Sequence, residues 1–136
     1  MIDYEVDIYD EVVQRVREVF PKGKLEISAD TIKKPAKLPY MSIEEINNYT
    51  DERSMTADDG DKFAVVTYDV NVYTNDISGK KLHAKRILAV VDEAFVSLNF
   101  RRVQKDITPN LSDATVYRIT ARYRAIVGDD GKLYRR

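Results

Sequence analysis

Side chains able to do chemistry are few in this sequence, and their spacing is uninviting. Cysteine is absent and His83 is the sole histidine. Disulfides, thiolate metal sites, cysteine nucleophiles and multi-histidine metal centres are therefore excluded. His83 lies four residues before Ile87 in an apolar-periodic segment, where a structural or surface role suits it better than catalysis. The five glycines are scattered among turns and build no phosphate-binding loop. Asp58-Asp59-Gly60-Asp61 and Asp129-Asp130-Gly131 begin like calcium loops. Neither continues with the remaining ligands or the terminal glutamate, so both read as solvated turns. Glu44 and Glu45 are adjacent carboxylates, but neighbours on a strand point to opposite faces and do not converge. No catalytic, cofactor or metal site is predicted.

The arginines carry more information. Arg118, Arg122 and Arg124 share one face of a predicted strand, and Arg101 and Arg102 lie on the strand before it. Lys132, Arg135 and Arg136 follow. From Asn99 to Arg136 there are nine basic and four acidic residues; from Met1 to Phe20 there are six acidic and two basic. From Glu44 to Asp61 seven acidic residues face one basic residue. The near-neutral total thus conceals a polarised chain. Such a basic face can contact nucleic-acid phosphates, or meet the acidic face of another subunit in a head-to-tail contact that closes into a ring. It can also be a plain solvated sheet face whose charges discourage aggregation. Aromatic residues are not interleaved with the arginines, and Tyr117 and Tyr123 fall on the opposite side, which weakens single-strand binding.

The elements that must position these residues follow from periodicity. Ile8, Tyr9, Val12, Val13, Val16, Val19 and Phe20 predict an opening helix with Asp3, Glu5 and Asp7 near its start, stopped by Pro21 and Gly23. Leu25 and Ile27 alternate with polar residues as a short strand, and the proline-containing stretch from Lys33 to Pro39 is extended. Tyr40 to Tyr49 is a strand with Met41 and Ile43 on one face. Asn47 to Asp61 is a polar loop. Lys62 to Thr74 is the clearest strand: Ala64, Val66, Tyr68, Val70 and Val72 line a core face. Its other face, from Phe63 to Tyr73, is mixed and expected to be partly exposed. A second helix runs from about Ser78 to Leu98 with Leu82, Ile87, Val90, Val91, Ala94, Phe95 and Leu98 on one face, and Asn99 as its C-cap. Arg101 to Thr108 is a strand, Pro109 to Asp113 a turn, and Thr115 to Val127 a long strand. Gly128-Asp129-Asp130-Gly131 turns the chain into a short last strand from Lys132 to Arg135. The fold class is α+β: a mainly antiparallel sheet with two principal helices packed on one face.

Size and composition agree with one domain over residues 1–136. Hydrophobic residues make up 43% and charged residues 33%, enough for a core without disulfides or metal. Lys plus Arg total 22 and Asp plus Glu 23, a balance that excludes a DNA-coating protein driven by bulk positive charge. No apolar run approaches the ~20 residues of a membrane span, and the acidic start lacks the regions of a signal peptide. A soluble intracellular protein is expected.

Four stretches together resemble a known family. They are Leu38-Pro39-Tyr40-Met41-Ser42-Ile43-Glu44-Glu45 and Tyr68-Asp69-Val70-Asn71-Val72-Tyr73-Thr74-Asn75. The third runs from Ala84 to Phe95 and on into Leu98-Asn99-Phe100-Arg101-Arg102, and the fourth is Tyr117-Arg118-Ile119-Thr120-Ala121-Arg122-Tyr123-Arg124-Ala125. In this order they resemble the tail terminator (tail completion, head–tail joining) proteins of long-tailed bacteriophages and prophages. The resemblance spans nearly the whole chain and rests on fold patterns, not catalytic signatures.

The resemblance implies a non-enzymatic structural protein without cofactor. Such a protein forms a homo-oligomeric, typically hexameric, ring on the head-proximal end of the tail tube. It ends tube polymerisation and offers the surface for head joining. The implied partners are the tail tube protein and the head–tail connector protein, with passing contact to DNA in the lumen and none with a membrane. The implied location is the virion tail, with assembly in the host bacterial cytoplasm. Alternatives are a head–tail connector or minor tail or capsid protein of the same virion, and a small nucleic-acid-binding module. Within this expectation Asp51, Glu52, Arg53, Asp58, Asp59 and Asp61 of the acidic loop would reach a neighbour, as would Arg101, Arg102, Arg118, Arg122 and Arg124 of the basic face.

Overall fold

A computed structural model describes residues 1–30, 35–50, 63–108 and 115–134. The elements in chain order are α1 (Glu5–Arg17), β1 (Glu26–Ser28), β2 (Tyr40–Thr50), β3 (Phe63–Thr74), α2 (Lys80–Ser97), β4 (Arg101–Ile107), β5 (Tyr117–Gly128) and β6 (Leu133–Tyr134). The sheet order is β1-β2-β3-β5-β4, with β6 pairing the end of β5. Among the described residues, β1 and β2 pair in parallel and every other pairing is antiparallel. Strands β3 and β4 therefore run in the same direction with β5 inserted between them, so β3–α2–β4 is a split β-α-β unit. This is the α+β class that the periodicity predicts.

Helix α1 begins with Glu5 and Asp7 and ends with Arg15 and Arg17, charges that complement the helix dipole. It buries Ile8, Val12 and Val16, one residue per turn, and ends before Pro21. Val19, expected on the apolar stripe, lies beyond the helix and is exposed. Helix α2 buries Ala84, Ile87, Leu88, Val91, Ala94 and Phe95. Leu82 departs from expectation and is 56% exposed. Two residues rotate a helix by about 200°, so Leu82 faces away from Ala84 and the stripe begins one turn later than expected.

The end of α2 carries the tightest local geometry. Asn99 adopts a left-handed conformation with φ of 68°. The Asn99 amide donates to the Val96 carbonyl and the Phe100 amide to the Phe95 carbonyl, both at 3.0 Å. This is the Schellman pattern, and its usual apolar clasp is present as the T-shaped Phe95–Phe100 contact at 5.0 Å between centroids. Phe95 also stacks on Tyr123 of β5 at 4.5 Å with a 6° interplanar angle. Tyr68 of β3 packs against both phenylalanines at 5.7 and 5.6 Å. All four rings are fully buried. They join helix, cap and the two central strands into one aromatic cluster.

Two expectations about strands need correction. Strand β2 runs to Thr50, so Asn47–Thr50 is not loop: Asn47, Asn48, Tyr49 and Thr50 register against Thr67, Val66, Val65 and Ala64. Ladder hydrogen bonds are made by backbone and need no apolar side chains. The second face of β3 is also far less exposed than a mixed sequence suggests. Val65, Thr67, Asn71 and Tyr73 are each 3% exposed or less.

Phe95→Ala should lose about 3–5 kcal/mol by chemical denaturation, from cavity and lost ring contacts. Leu82→Ala, by contrast, should cost less than about 0.5 kcal/mol, although sequence periodicity places both side chains on one stripe.

Candidate functional site

Strand register sorts the arginines by face. On the sheet face away from the helices, β5 presents Arg118, Thr120, Arg122 and Arg124 opposite Tyr73, Asn71, Asp69 and Thr67 of β3. Each arginine is met by its cross-strand partner. Arg122 Nε donates to Asp69 Oδ1 at 2.8 Å and Nη2 to Oδ2 at 3.4 Å. That bond to the carboxylate, despite partial desolvation, holds the guanidinium pKa above its ordinary value. Arg118 donates twice to Asn71 Oδ1, at 3.0 and 2.8 Å, and lies over the Tyr73 ring at 5.3 Å. Thr120 donates to the same Asn71 oxygen and meets Thr108 at 2.7 Å. Among the described residues, Arg124 makes a long contact, 3.4 Å, with Thr67 Oγ1. These side chains cover the second face of β3, and their stems bury what the helices do not reach.

Arg101 and Arg102 do not act together. Arg101 registers with Arg124, and Arg102 with Tyr123 on the helix side. Arg102 Nη1 donates to Asp92 Oδ1 at 3.2 Å, and the Tyr123 hydroxyl donates to the same oxygen at 2.8 Å. One carboxylate of α2 thus ties the helix to β4 and β5. All seven residues of β4 are exposed. Gln104 and Asp106 are hydrogen-bonded along the outer face of this edge strand. His83 pairs with Asp76 at 3.0 Å beside the start of α2, which gives it a structural contact. Tyr123 and Tyr117 lie on the helix side, as expected. Asp51, Glu52, Arg53, Asp58, Asp59 and Asp61 of the acidic loop lie outside the described residues, as do Arg135 and Arg136.

Folding also creates a grouping that linear reading missed. Asp3 and Glu5, at the start of the chain, converge with Glu45 of β2, with one carboxylate oxygen of each within 4.8 Å of the others. Glu44 points to the opposite face, opposite Asp69, so the Glu44–Glu45 pair does diverge. Glu45 instead shares its face with Tyr68, its register partner. Burial pushes the Glu45 carboxyl up to about 7, the Tyr68 hydroxyl opposes this, and the charges of Glu5 and Asp3 add to it. Burial likewise raises the Tyr68 hydroxyl, with Glu45 as the next contributor. The only sequence signal for this grouping was the acidic bias at Met1–Phe20 and from Glu44 onward; the pairing of the two segments is a property of the fold.

No model of a known protein family matches the sequence, and a comparison with curated proteins finds no match. The structure is similar to a chain in a solved structure described as the virion of native gene transfer agent (GTA) particle. The TM-score is 0.61 at 17% identity, and the match covers 90% of this chain and 96% of that one. At this identity the likeness is one of fold. Among the described residues no helix is long and apolar enough to cross a membrane.

A double-mutant cycle on Arg122 and Asp69 should return a coupling of about 0.5–1 kcal/mol, the range for a partly exposed pair of good geometry. For Glu45, the folded-state pKa of about 7 lies above the ordinary carboxyl value of 4.5, so the folded state holds the extra proton between about pH 4.5 and 7. Its contribution to stability is present below that window and lost as pH rises through it. With screening at a half-exposed site, the loss is on the order of 1 kcal/mol. Glu45→Gln should therefore be about 1 kcal/mol more stable than the parent at pH 8 and nearly equal to it at pH 5, read from urea midpoints.

Proposed function

We propose that this chain is a structural protein of a phage-like virion, and that it acts as a tail terminator: a ring that closes the head-proximal end of the tail tube and receives the head. The observation that carries the reading is the fold likeness to a chain of a gene transfer agent virion, which covers nearly all of both chains. A sequence resemblance to tail terminators over the same extent supports the finer role. In this reading the chain is not an enzyme, and its working parts are surfaces.

The internal engagement of Arg118 and Arg122 bears on which surface residues matter. An arginine already bonded to Asp69 or Asn71 has less to offer a phosphate or a neighbouring carboxylate. Arg124, whose contact among the described residues is a long one to Thr67, is the member of the ladder best placed to reach a second subunit. A head-to-tail contact of this kind needs an acidic counterpart elsewhere on the chain, and the polarised sequence supplies acidic segments. Charge pairs of that kind fix register and partner choice more than affinity.

Native mass spectrometry over a concentration series, with and without purified tail tubes, tests the reading. The expected result is a closed hexamer, alone or on tube ends. Arg124→Glu should reduce assembly at least tenfold while leaving the monomer's circular dichroism and melting temperature unchanged. A chain that stays monomeric alone and does not bind tube ends overturns the tail-terminator role. Full assembly in Arg124→Glu removes this residue from the interface.

A further inference from the structure

Helix α2 carries apolar residues on the side turned away from the sheet as well as on the side it buries. Leu82, Ala89 and Val96 are all exposed, Leu82 at 56% and Val96 at 38%. They recur every seven residues, so they form one line along the outer surface that drifts by only about 20° per step. Arg86 and Glu93, also exposed and also seven residues apart, lie beside that line. The buried set of Ala84, Ile87, Leu88, Val91, Ala94 and Phe95 occupies the opposite side of the helix. Exposed apolar residues scattered singly need no explanation. A ridge of three at constant spacing, on a helix whose other side already fills the core, does.

The charges of α2 are a second, independent observation. Lys80, Lys81, Lys85 and Arg86 lie in its first half, Asp92 and Glu93 in its second. Its first turn has no acidic residue and its last turn no basic one, so the helix does nothing to offset its own dipole. Asp92 is taken by Arg102 and Tyr123. Among the described residues, Arg86 and Glu93 have no ion-pair partner within the subunit. A second α2 laid antiparallel along the ridge, about a twofold axis at Ala89, answers both features. Leu82 then meets the partner's Val96, and Arg86 meets the partner's Glu93, each contact occurring twice. Ala89 meets its own copy on the axis, where a small side chain lets the helices approach to about 8 Å, the close end of helix packing. A parallel arrangement would set arginine on arginine and glutamate on glutamate, a costly juxtaposition.

We propose that the outer ridge of α2 is a self-association surface whose partner is α2 of a second copy of this chain, in antiparallel orientation. The seven-residue spacing is that of a left-handed helix pair, and the apolar line is its seam. A helix of 18 residues is about 27 Å long. Its outer face alone falls short of the ~800 Å² per partner of a stable complex, so the dimer is weak and reversible. The ridge lies on the helix side of the sheet and Arg124 on the other, so this contact is separate from the head-to-tail contact proposed above. It stands apart from the virion role, and neither depends on the other.

The full chain contains no cysteine, so single cysteine variants report the geometry directly. Under mild oxidation at about 1 mM protein, a concentration suited to a weak contact, Ala89→Cys should cross-link to a covalent dimer. Leu82→Cys alone should not, because the two copies of that position stand about 21 Å apart along the helices. An equimolar mixture of Leu82→Cys and Val96→Cys should cross-link one to the other. In sedimentation equilibrium Arg86→Glu and Glu93→Arg should each weaken the dimer about tenfold or more, and the double variant should recover to within about threefold of the parent. Circular dichroism should not change, since both positions are exposed. Three results overturn the surface: no covalent dimer from Ala89→Cys, equal cross-linking by Leu82→Cys alone, or a double variant no better than either single one. Ring assembly that persists in Arg86→Glu, with no cross-link from Ala89→Cys, overturns this surface and leaves the proposed virion role standing.

Discussion

Strand β3 lies at the centre of the sheet and has two faces to cover, yet both helices pack on only one of them. Everything distinctive about the molecule follows from that imbalance. On the helix side Val66, Tyr68, Val70 and Val72 are buried in the ordinary way beneath α2 and its neighbours. On the other side none of the described helices packs, and β3 carries Thr67, Asp69 and Asn71, groups that need partners when water is removed. Strand β5 supplies those partners at the same register. A guanidinium on a long apolar stem can both lie over a residue such as Tyr73 and bond an amide or carboxylate with its planar head. The arginines are the second layer of this fold.

The helix side is held by a different device. Phe95 stacks on Tyr123, Tyr68 fits edge-on against Phe100, and the left-handed Asn99 turns the chain so that Phe100 returns under the helix it has just left. The same turn launches β4 in the direction that a split β-α-β unit requires. Asp92 then receives both Tyr123 and Arg102, so the strand leaving the turn is tied back to the helix before it. At the other end of the sheet Tyr4 does comparable work. Its hydroxyl donates to the Asp129 carbonyl, and its ring lies 3.0 Å from where a Cβ on Gly131 would stand. Gly131 has φ of +83°, so both backbone and space at that turn favour glycine.

Much of this was legible in sequence because it depends on local periodicity. Alternation located β3 and β5, the arginines fell on one face because they sit two and four residues apart, and Asn99 was readable as a cap. What was not legible depends on register. Arg101 and Arg102 parted to opposite faces, as adjacent strand residues must, although clustering of like charge had suggested a shared role. The second face of β3 reads as mixed and exposed until β5 is known to lie beside it with an arginine at three of the facing positions. Leu82 was misplaced because an apolar residue near a helix start counts toward periodicity before the phase of the stripe is fixed. Asp3, Glu5 and Glu45 are separated by some forty residues of chain, and no spacing rule connects them.

The polarised charge of the sequence acquires a geometry from the sheet. Glu45 and its acidic companions lie on the helix side, at the middle of β2, whereas Arg118, Arg122 and Arg124 line the opposite face. These two clusters lie on opposite sides of the sheet, although Glu44 and Asp69 also share the arginine face and Arg102 lies on the helix side. Two copies related by a twofold axis would bring each patch against itself, basic on basic or acidic on acidic, if either patch lay on the axis. A head-to-tail arrangement instead brings unlike faces together and repeats the same contact at every step. It closes only if the rotation per subunit divides a full turn. Part of the basic face is already neutralised within the subunit, since Arg122 is bonded to Asp69. Arg124 is held less closely than Arg122, by a long contact of 3.4 Å to Thr67.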